Sequence, residues 1–165
     1  MILSDSKILR LIRMTGLIKN YVDLDRQIQP AGFDLTLNNI LQIDPESWGR
    51  IDFTNEKRFL PKYIPLDEID GGWNLKPGNY IMKTNEVVKL PNGISGLSWP
   101  RSSINRCGAA INTATVDPGF EGPLSYLLQV NTKLRLDKNA RVVQLVFFKT
   151  ELSENLYNGV YAVRK

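Results

Sequence analysis

The chain is 165 residues long, 42% of them hydrophobic, with 21 Lys and Arg against 17 Asp and Glu. That length buries a real core, and the lack of any histidine removes Ser-His-Asp and Cys-His catalysis and nearly every zinc site. Carboxylates, hydroxyls, arginines and an oxygen-held metal remain, and the charge excess suits a small polyanion but is too slight for a nucleic-acid surface.

Cys107 is the only cysteine, so no internal disulfide forms. No apolar run approaches the roughly 18–20 residues of a membrane span, and the N-terminus opens on polar residues. The expectation is one cytoplasmic domain over residues 1–165, with no membrane or nucleic-acid partner.

Taken in order, LSDSKILRLIRMTGLI predicts a short N-terminal helix within residues 1–16, from about Asp5 to Thr15. Ser4 is its N-cap, Ile8, Leu11 and Ile12 lie at helical spacing, and Gly16 is a stop. After Tyr21 the pattern changes to strand. IQPAGFDLTLNNILQI alternates around Phe33, Leu35 and Leu37 behind a Pro30-Ala31-Gly32 turn. Residues 44–69 are less regular and read as an excursion.

From there turn chemistry recurs at Asp70-Gly71-Gly72, Pro77-Gly78, Pro91-Asn92-Gly93, Asp117-Pro118-Gly119 and Asp137-Lys138-Asn139. Between these turns lie NYIMKT, EVVKL, SYLLQV and RVVQLVFFK, and a strand from Ala109 to Val116. Short strands divided by turns predict an all-β sandwich or barrel.

Four places carry chemistry, each with a bland alternative. Asp34 lies just inside a strand beside Gly32, as a metal anchor or a strand-edge acid. Arg101, Ser102 and Ser103 follow Pro100 in a turn or strand-to-loop junction; a guanidinium fork and two hydroxyls suit phosphate oxygens, although Ser-Ser after proline is also ordinary turn chemistry. Asp117, sixteen residues past Arg101, stands at a strand tip with the Phe120 ring three residues on. It is either a functional carboxylate or one that accepts its own backbone amides. Gln144 interrupts the apolar run Val142–Phe148, where an unpartnered buried amide costs roughly 1–3 kcal/mol, so it is a satisfied core glutamine or a ligand contact. Residues 155–165, which end in Arg164-Lys165, are a candidate flexible lid.

The order and spacing of these segments resemble the dUTPase and dCTP deaminase superfamily over most of the chain. IQPAGFDLTL is similar to the family's first motif, PRSSINRCG to its second, TVDPGFEG to its third and ARVVQLVFF to its fourth. The resemblance implies a distorted jelly-roll-like β-barrel that assembles as a homotrimer, with sites shared between subunits. It implies that Arg101, Ser102, Ser103 and Gln144 hold phosphates and that Asp34 positions Mg2+ through water. It further implies that Phe120 lies against the deoxyribose and that Asp117 deprotonates the attacking water.

Family members release pyrophosphate from dUTP, deaminate dCTP without zinc, or do both. The resembling deaminases carry a glutamate about ten positions past the third-motif aspartate, where this chain has Leu127, and no acid occurs between Glu121 and Asp137. Leucine carries no proton. INTATVD likewise aligns without a gap on the dUTPase-type approach. Arg106 and the tail YNGVY point toward the deaminases.

The expected activity is dUTP diphosphatase, with dCTP deaminase or a bifunctional enzyme as the alternative and a non-catalytic nucleotide-binding trimer as the remote one. Asn112 is a candidate base contact, Arg106 a candidate substrate contact, and Arg164 a candidate for the γ-phosphate.

Overall fold

The computed structural model describes residues 1–161. Helix α1 (Asp5–Thr15) has the predicted limits. Ser4 occupies its N-cap position, but its hydroxyl pairs with Ser6 Oγ at 3.0 Å instead of with a backbone N–H, while Gly16 closes the other end by donating its N–H to Ile12 O. Ile8 and Ile12, one turn apart, are its buried residues. Burying such a side chain is worth about 1.5–3 kcal/mol, and this apolar stripe holds the helix to the sheet.

The chain continues through β1 (Ile18–Lys19), α2 (Leu24–Gln27), β2 (Ile28–Gln29), β3 (Gly32–Ile43), β4 (Tyr63–Pro65), β5 (Gly72–Leu75) and β6 (Gly78–Lys89). There follow β7 (Ile94–Pro100), α3 (Ser102–Arg106), β8 (Ala109–Asn112), β9 (Thr115–Val116), β10 (Glu121–Val130), β11 (Leu134–Asp137) and β12 (Arg141–Lys149). The mostly β architecture with a short N-terminal helix agrees with the expectation.

One large sheet runs β8-β10-β6-β3-β12-β7-β9; β1 attaches to β6, both β2 and β4 attach to β3, and β5 pairs separately with β11. The neighbouring pairs are antiparallel.

The chain itself explains why this sheet curls. β8 and β9 lie at its opposite edges, yet only Thr113 and Ala114 separate them. Seven flat strands would put those edges about 29 Å apart, whereas three extended residues reach at most about 11 Å. The sheet therefore rolls until its edges meet, and Thr113 ties the seam by donating its hydroxyl to Ser98 O at 2.7 Å. This seam also corrects the predicted strand Ala109–Val116. It is broken in two because its halves belong to opposite edges, and Asp117 leaves directly from the seam.

NYIMKT and EVVKL likewise are one strand, β6. Strand β3 pairs with β12 over its first half and with β6 over its second, with a register shift between Leu37 and Asn39. Residues 32–37 are buried on both faces, not alternately, because the strand crosses the interior of the rolled sheet there. Phe33, Leu35, Leu37, Leu145 and Phe147 are fully enclosed. No helix among the described residues is long and apolar enough to cross a membrane.

Candidate active site

Register sets up the first half of the site. Asp34 on β3 faces Gln144 on β12, which faces Trp99 on β7, so three neighbouring strands put these residues in one row. Gly32 permits the approach: a Cβ there would lie 2.7 Å from Leu145 O and 3.1 Å from Gln144 Cγ. Gln144 is half-buried, and its amide has no hydrogen-bond partner among the described residues. The satisfied-core reading of Gln144 thus gives way to one that leaves its donors available.

Arg101 follows β7 directly, at the N-cap of α3. Its Nε lies 3.1 Å from Asp34 Oδ2, and its Nη1 donates to Arg141 O at 3.3 Å. Arg141 donates from Nη1 to the same Asp34 oxygen at 3.4 Å and to Arg26 O at 2.6 Å. Two guanidinium groups thus share Oδ2, and Oδ1 accepts no hydrogen bond from a described residue.

Asp34 is only 2% exposed. Burial lifts its carboxyl above the ordinary aspartate range, against the pull of Arg101 and Arg141. Ser102 and Ser103 occupy the first turn of α3, which corrects the expected turn or loop junction. Their hydroxyls and the exposed Arg106 side chain make no contact with a described polar group. Arg141 is the residue that sequence reasoning missed here. It opens the segment ARVVQ, but nothing local marks an arginine at a strand start as the second partner of a carboxylate over one hundred positions away.

Behind Asp34 lies a buried polar cluster that the sequence did not mark either. Glu86 is fully buried: Oε1 accepts from Gln27 Nε2 at 2.7 Å and Thr36 Oγ1 at 2.6 Å, and Oε2 accepts from Thr36 N at 2.9 Å. Gln27 Nε2 also donates to Asp34 O at 2.8 Å, while its Oε1 accepts from the backbone of Val22 and Asp23. The cluster therefore fixes the segment of β3 that carries Asp34.

Burial raises the Glu86 carboxyl, against the lowering effect of those donors. A raised folded value favours the protonated form, so this group's stabilisation is complete below the ordinary glutamate value and is lost as pH rises toward the raised one. Denaturant unfolding of Glu86→Gln, followed as pH rises from the ordinary glutamate value upward, is expected to lack that downward component, which wild type retains. Identical pH slopes in the two proteins would contradict the assignment.

The second half of the site is a cleft of about 560 Å³ lined by Asp117, Phe120, Leu127, Lys83, Tyr157 and other residues. Asp117 begins the turn from β9 to β10. Phe120 N donates to Asp117 O at 3.1 Å, Gly119 N donates to Leu90 O at 2.9 Å, and Gly119 sits at φ +88°, a conformation that L side chains rarely adopt. The exposed Asp117 carboxylate accepts no hydrogen bond and forms no ion pair among the described residues. The alternative in which it caps its own turn is therefore not what the fold contains.

Phe120 is 7% exposed, and Tyr157 meets its ring edge-on with centroids 5.3 Å apart. Tyr157 N donates to Pro118 O at 2.8 Å, which lays the C-terminal segment along this turn. Deeper in, Tyr126 shares a 2.7 Å hydrogen bond with Ser98, and its phenol is pushed up mainly by burial. Asn112 is across β8–β10 from Leu127, but its amide donates to Gln129 Oε1 at 3.0 Å and it does not line the cleft. Arg164 lies outside the described residues.

The two halves do not meet within one chain. Val116 pairs with Gly96 near one end of β7 and Arg101 follows its other end, a separation of five strand residues or about 17 Å. Arg101, Ser102, Ser103 and Gln144 do not line the cleft that holds Asp117.

Residues 2–150 match a family model described as dCTP deaminase-like. The chain is 42% identical over 164 residues to a probable deoxyuridine 5'-triphosphate nucleotidohydrolase of Archaeoglobus fulgidus, covering 97% of this chain and 95% of that protein. It is 41% identical over 150 residues to a deoxyuridine 5'-triphosphate nucleotidohydrolase of Methanocaldococcus jannaschii, covering 88% and 95%. Among solved structures, the 2'-deoxycytidine 5'-triphosphate deaminase of Agrobacterium tumefaciens superposes with a TM-score of 0.69 at 24% identity, covering 88% of this chain. The match spans about half of that deaminase, 47% of its length, and the likeness concerns the fold.

Proposed function

Since the chain belongs to the dCTP deaminase-like family, we propose that it is a cytoplasmic dUTP diphosphatase, hydrolysing dUTP to dUMP and pyrophosphate. The observation that carries this reading is the content of the cleft: a carboxylate, Asp117, with no partner among the described residues, and a leucine, Leu127, in place of a second proton carrier. The names of the two archaeal relatives support it.

A water held by Asp117 attacks the α-phosphorus. As its oxygen bonds to phosphorus and the bond to the bridging oxygen of the β-phosphate breaks, its proton passes to the carboxylate and pyrophosphate leaves. Arg101, Ser102, Ser103 and Gln144 hold the phosphate chain in line for that displacement, and Phe120 backs the deoxyribose. Residues 155–161, which Tyr157 lays along the Asp117 turn, act as a lid over the phosphate-bearing ligand.

The donor set fits a magnesium ion carried mainly by substrate and water, since no group of three His, Cys, Asp or Glu able to form a protein cage occurs among the described residues. Asp34 Oδ1, which accepts no hydrogen bond from a described residue, is the atom that would hold such an ion's water. When bound, the ion supplies charge neutralisation at the triphosphate.

Because Val116, just before Asp117, pairs with β7 about 17 Å along that strand from Arg101, we place each complete site between copies of the chain in a homotrimer. Co-expression of Asp117→Asn with Arg101→Met, each inactive alone, is then expected to restore about a quarter of wild-type turnover by random mixing. Mixed oligomers that stay inactive would refute the shared site.

The reaction itself is tested by incubating the protein with Mg2+ and either dUTP or dCTP and resolving the nucleotides. dUMP from dUTP with dCTP untouched is the expected result. dUTP or dUMP formed from dCTP would establish the deaminase alternative, and no product from either would leave a binding protein.

A further inference from the structure

The hydrolase reading leaves one charged group in the cleft without a task. Asp117 and Lys83 are the two charged residues of its lining. Lys83 lies on β6, in register with Ser125 on β10, and two positions away Ile81 is in register with Leu127. Residues two apart share a face of a strand, so Ile81, Lys83, Ser125 and Leu127 form one surface, and all four line the cleft.

On that surface the Lys83 ammonium, with three N–H donors and no acceptor, makes no hydrogen bond or ion pair with a described residue. Its surroundings are mostly apolar or hydroxylic. None of the described residues takes up the donors of this cation.

We propose that Lys83 is a specificity-determining residue that reads the 4-position of the pyrimidine and favours uracil over cytosine; this rests on the dUTP reading above. Asp117 and Phe120 set the sugar and phosphate end of the cleft, so a nucleoside laid along β10 points its base toward Ser125 and Leu127. Uracil presents an oxygen at carbon 4, which accepts from the ammonium. Cytosine presents an amino group there, which can only donate and meets a cation that can only donate. Lys83 is exposed in the open cleft, and once a base covers it, a hydrogen-bonding group left facing the wrong partner discriminates more strongly than shape does. Ser125, whose hydroxyl donates or accepts, tolerates either ring.

The test is Lys83→Met, which keeps the unbranched apolar stem at an exposed position and removes the donors. In wild type and variant, dUTP kcat/KM is measured together with inhibition of that reaction by dCTP. The variant is expected to lose about 10- to 100-fold in kcat/KM for dUTP, mainly through KM, while dCTP inhibits as well as before or better. Lys83→Arg, which keeps a cationic donor, is expected to retain most of the preference.

Calorimetric binding of dUMP and dCMP to both proteins needs no turnover. A wild type that fails to hydrolyse dUTP would defeat the hydrolase reading, whereas the dUMP-to-dCMP affinity ratio bears on Lys83 alone. An unchanged ratio in Lys83→Met, even with reduced kcat, would overturn the proposal.

Discussion

Replacing Asp117 with asparagine is expected to lower kcat for dUTP by about 10³-fold while leaving substrate affinity within a few-fold of wild type. The asymmetry follows from the environment of the carboxylate. It forms no bond within the described chain, so its loss breaks nothing in the described fold, and the proposed phosphate donors sit on other elements. Asparagine keeps the volume and a hydrogen-bond acceptor for the water but takes up no proton. Single-turnover rates and equilibrium binding of a non-hydrolysable dUTP analogue separate the two quantities. A variant with near-normal kcat would show that Asp117 is not the base, and one with lost binding and normal turnover of bound substrate would make it a binding group.

The second large effect is expected at Arg101, the proposed phosphate donor, whose guanidinium is paired with the buried Asp34. Arg101→Met should reduce kcat/KM by about 10²- to 10³-fold, the usual consequence of removing one charged donor aimed at a developing anion. It also leaves Asp34 with Arg141 alone, so the carboxyl, already lifted by burial, moves further up.

A raised acid stabilises the fold fully below its ordinary value and loses that contribution as pH rises to the folded value. Removing Arg101 raises the upper end of that window. Unfolding midpoints followed against pH should therefore decline over a wider range in Arg101→Met than in wild type. Arg101→Lys keeps the charge without the fork that spans Asp34 Oδ2 and Arg141 O, and it should recover the pH behaviour more than the rate. Equal losses in the Lys and Met variants at every pH would mean that fork geometry, not charge, governs both properties.

Most of the candidate site was legible along the chain, because each motif is local. Gly32 beside Asp34, Pro100 before Arg101-Ser102-Ser103, and Pro118-Gly119 after Asp117 write backbone geometry and functional group into the same few residues. Helix α1 was equally legible, since a 3.6-residue apolar period bounded by Ser4 and Gly16 needs no distant partner. The residues that went unread, Arg141, Glu86, Gln27 and Lys83, are all defined by what lies opposite them. Arg141 acquires its role by meeting Asp34, and Glu86 by meeting Thr36 fifty positions away. Lys83 acquires its position because β6 pairs with β10.

By itself, then, the sequence determined the β-rich class, the N-terminal helix, the turn that presents Asp117 and the candidate phosphate donors, all of which depend on neighbouring residues. Tertiary structure alone decided that the strand before Asp117 splits at Thr113-Ala114, since only a rolled sheet brings its opposite edges together. It also decided that Asp34 shares one oxygen between two arginines and that the candidate phosphate donors and the carboxylate lie toward opposite ends of β7. Strand pairing sets those distances, and pairing is a property of which strands meet, which no single strand's residues encode.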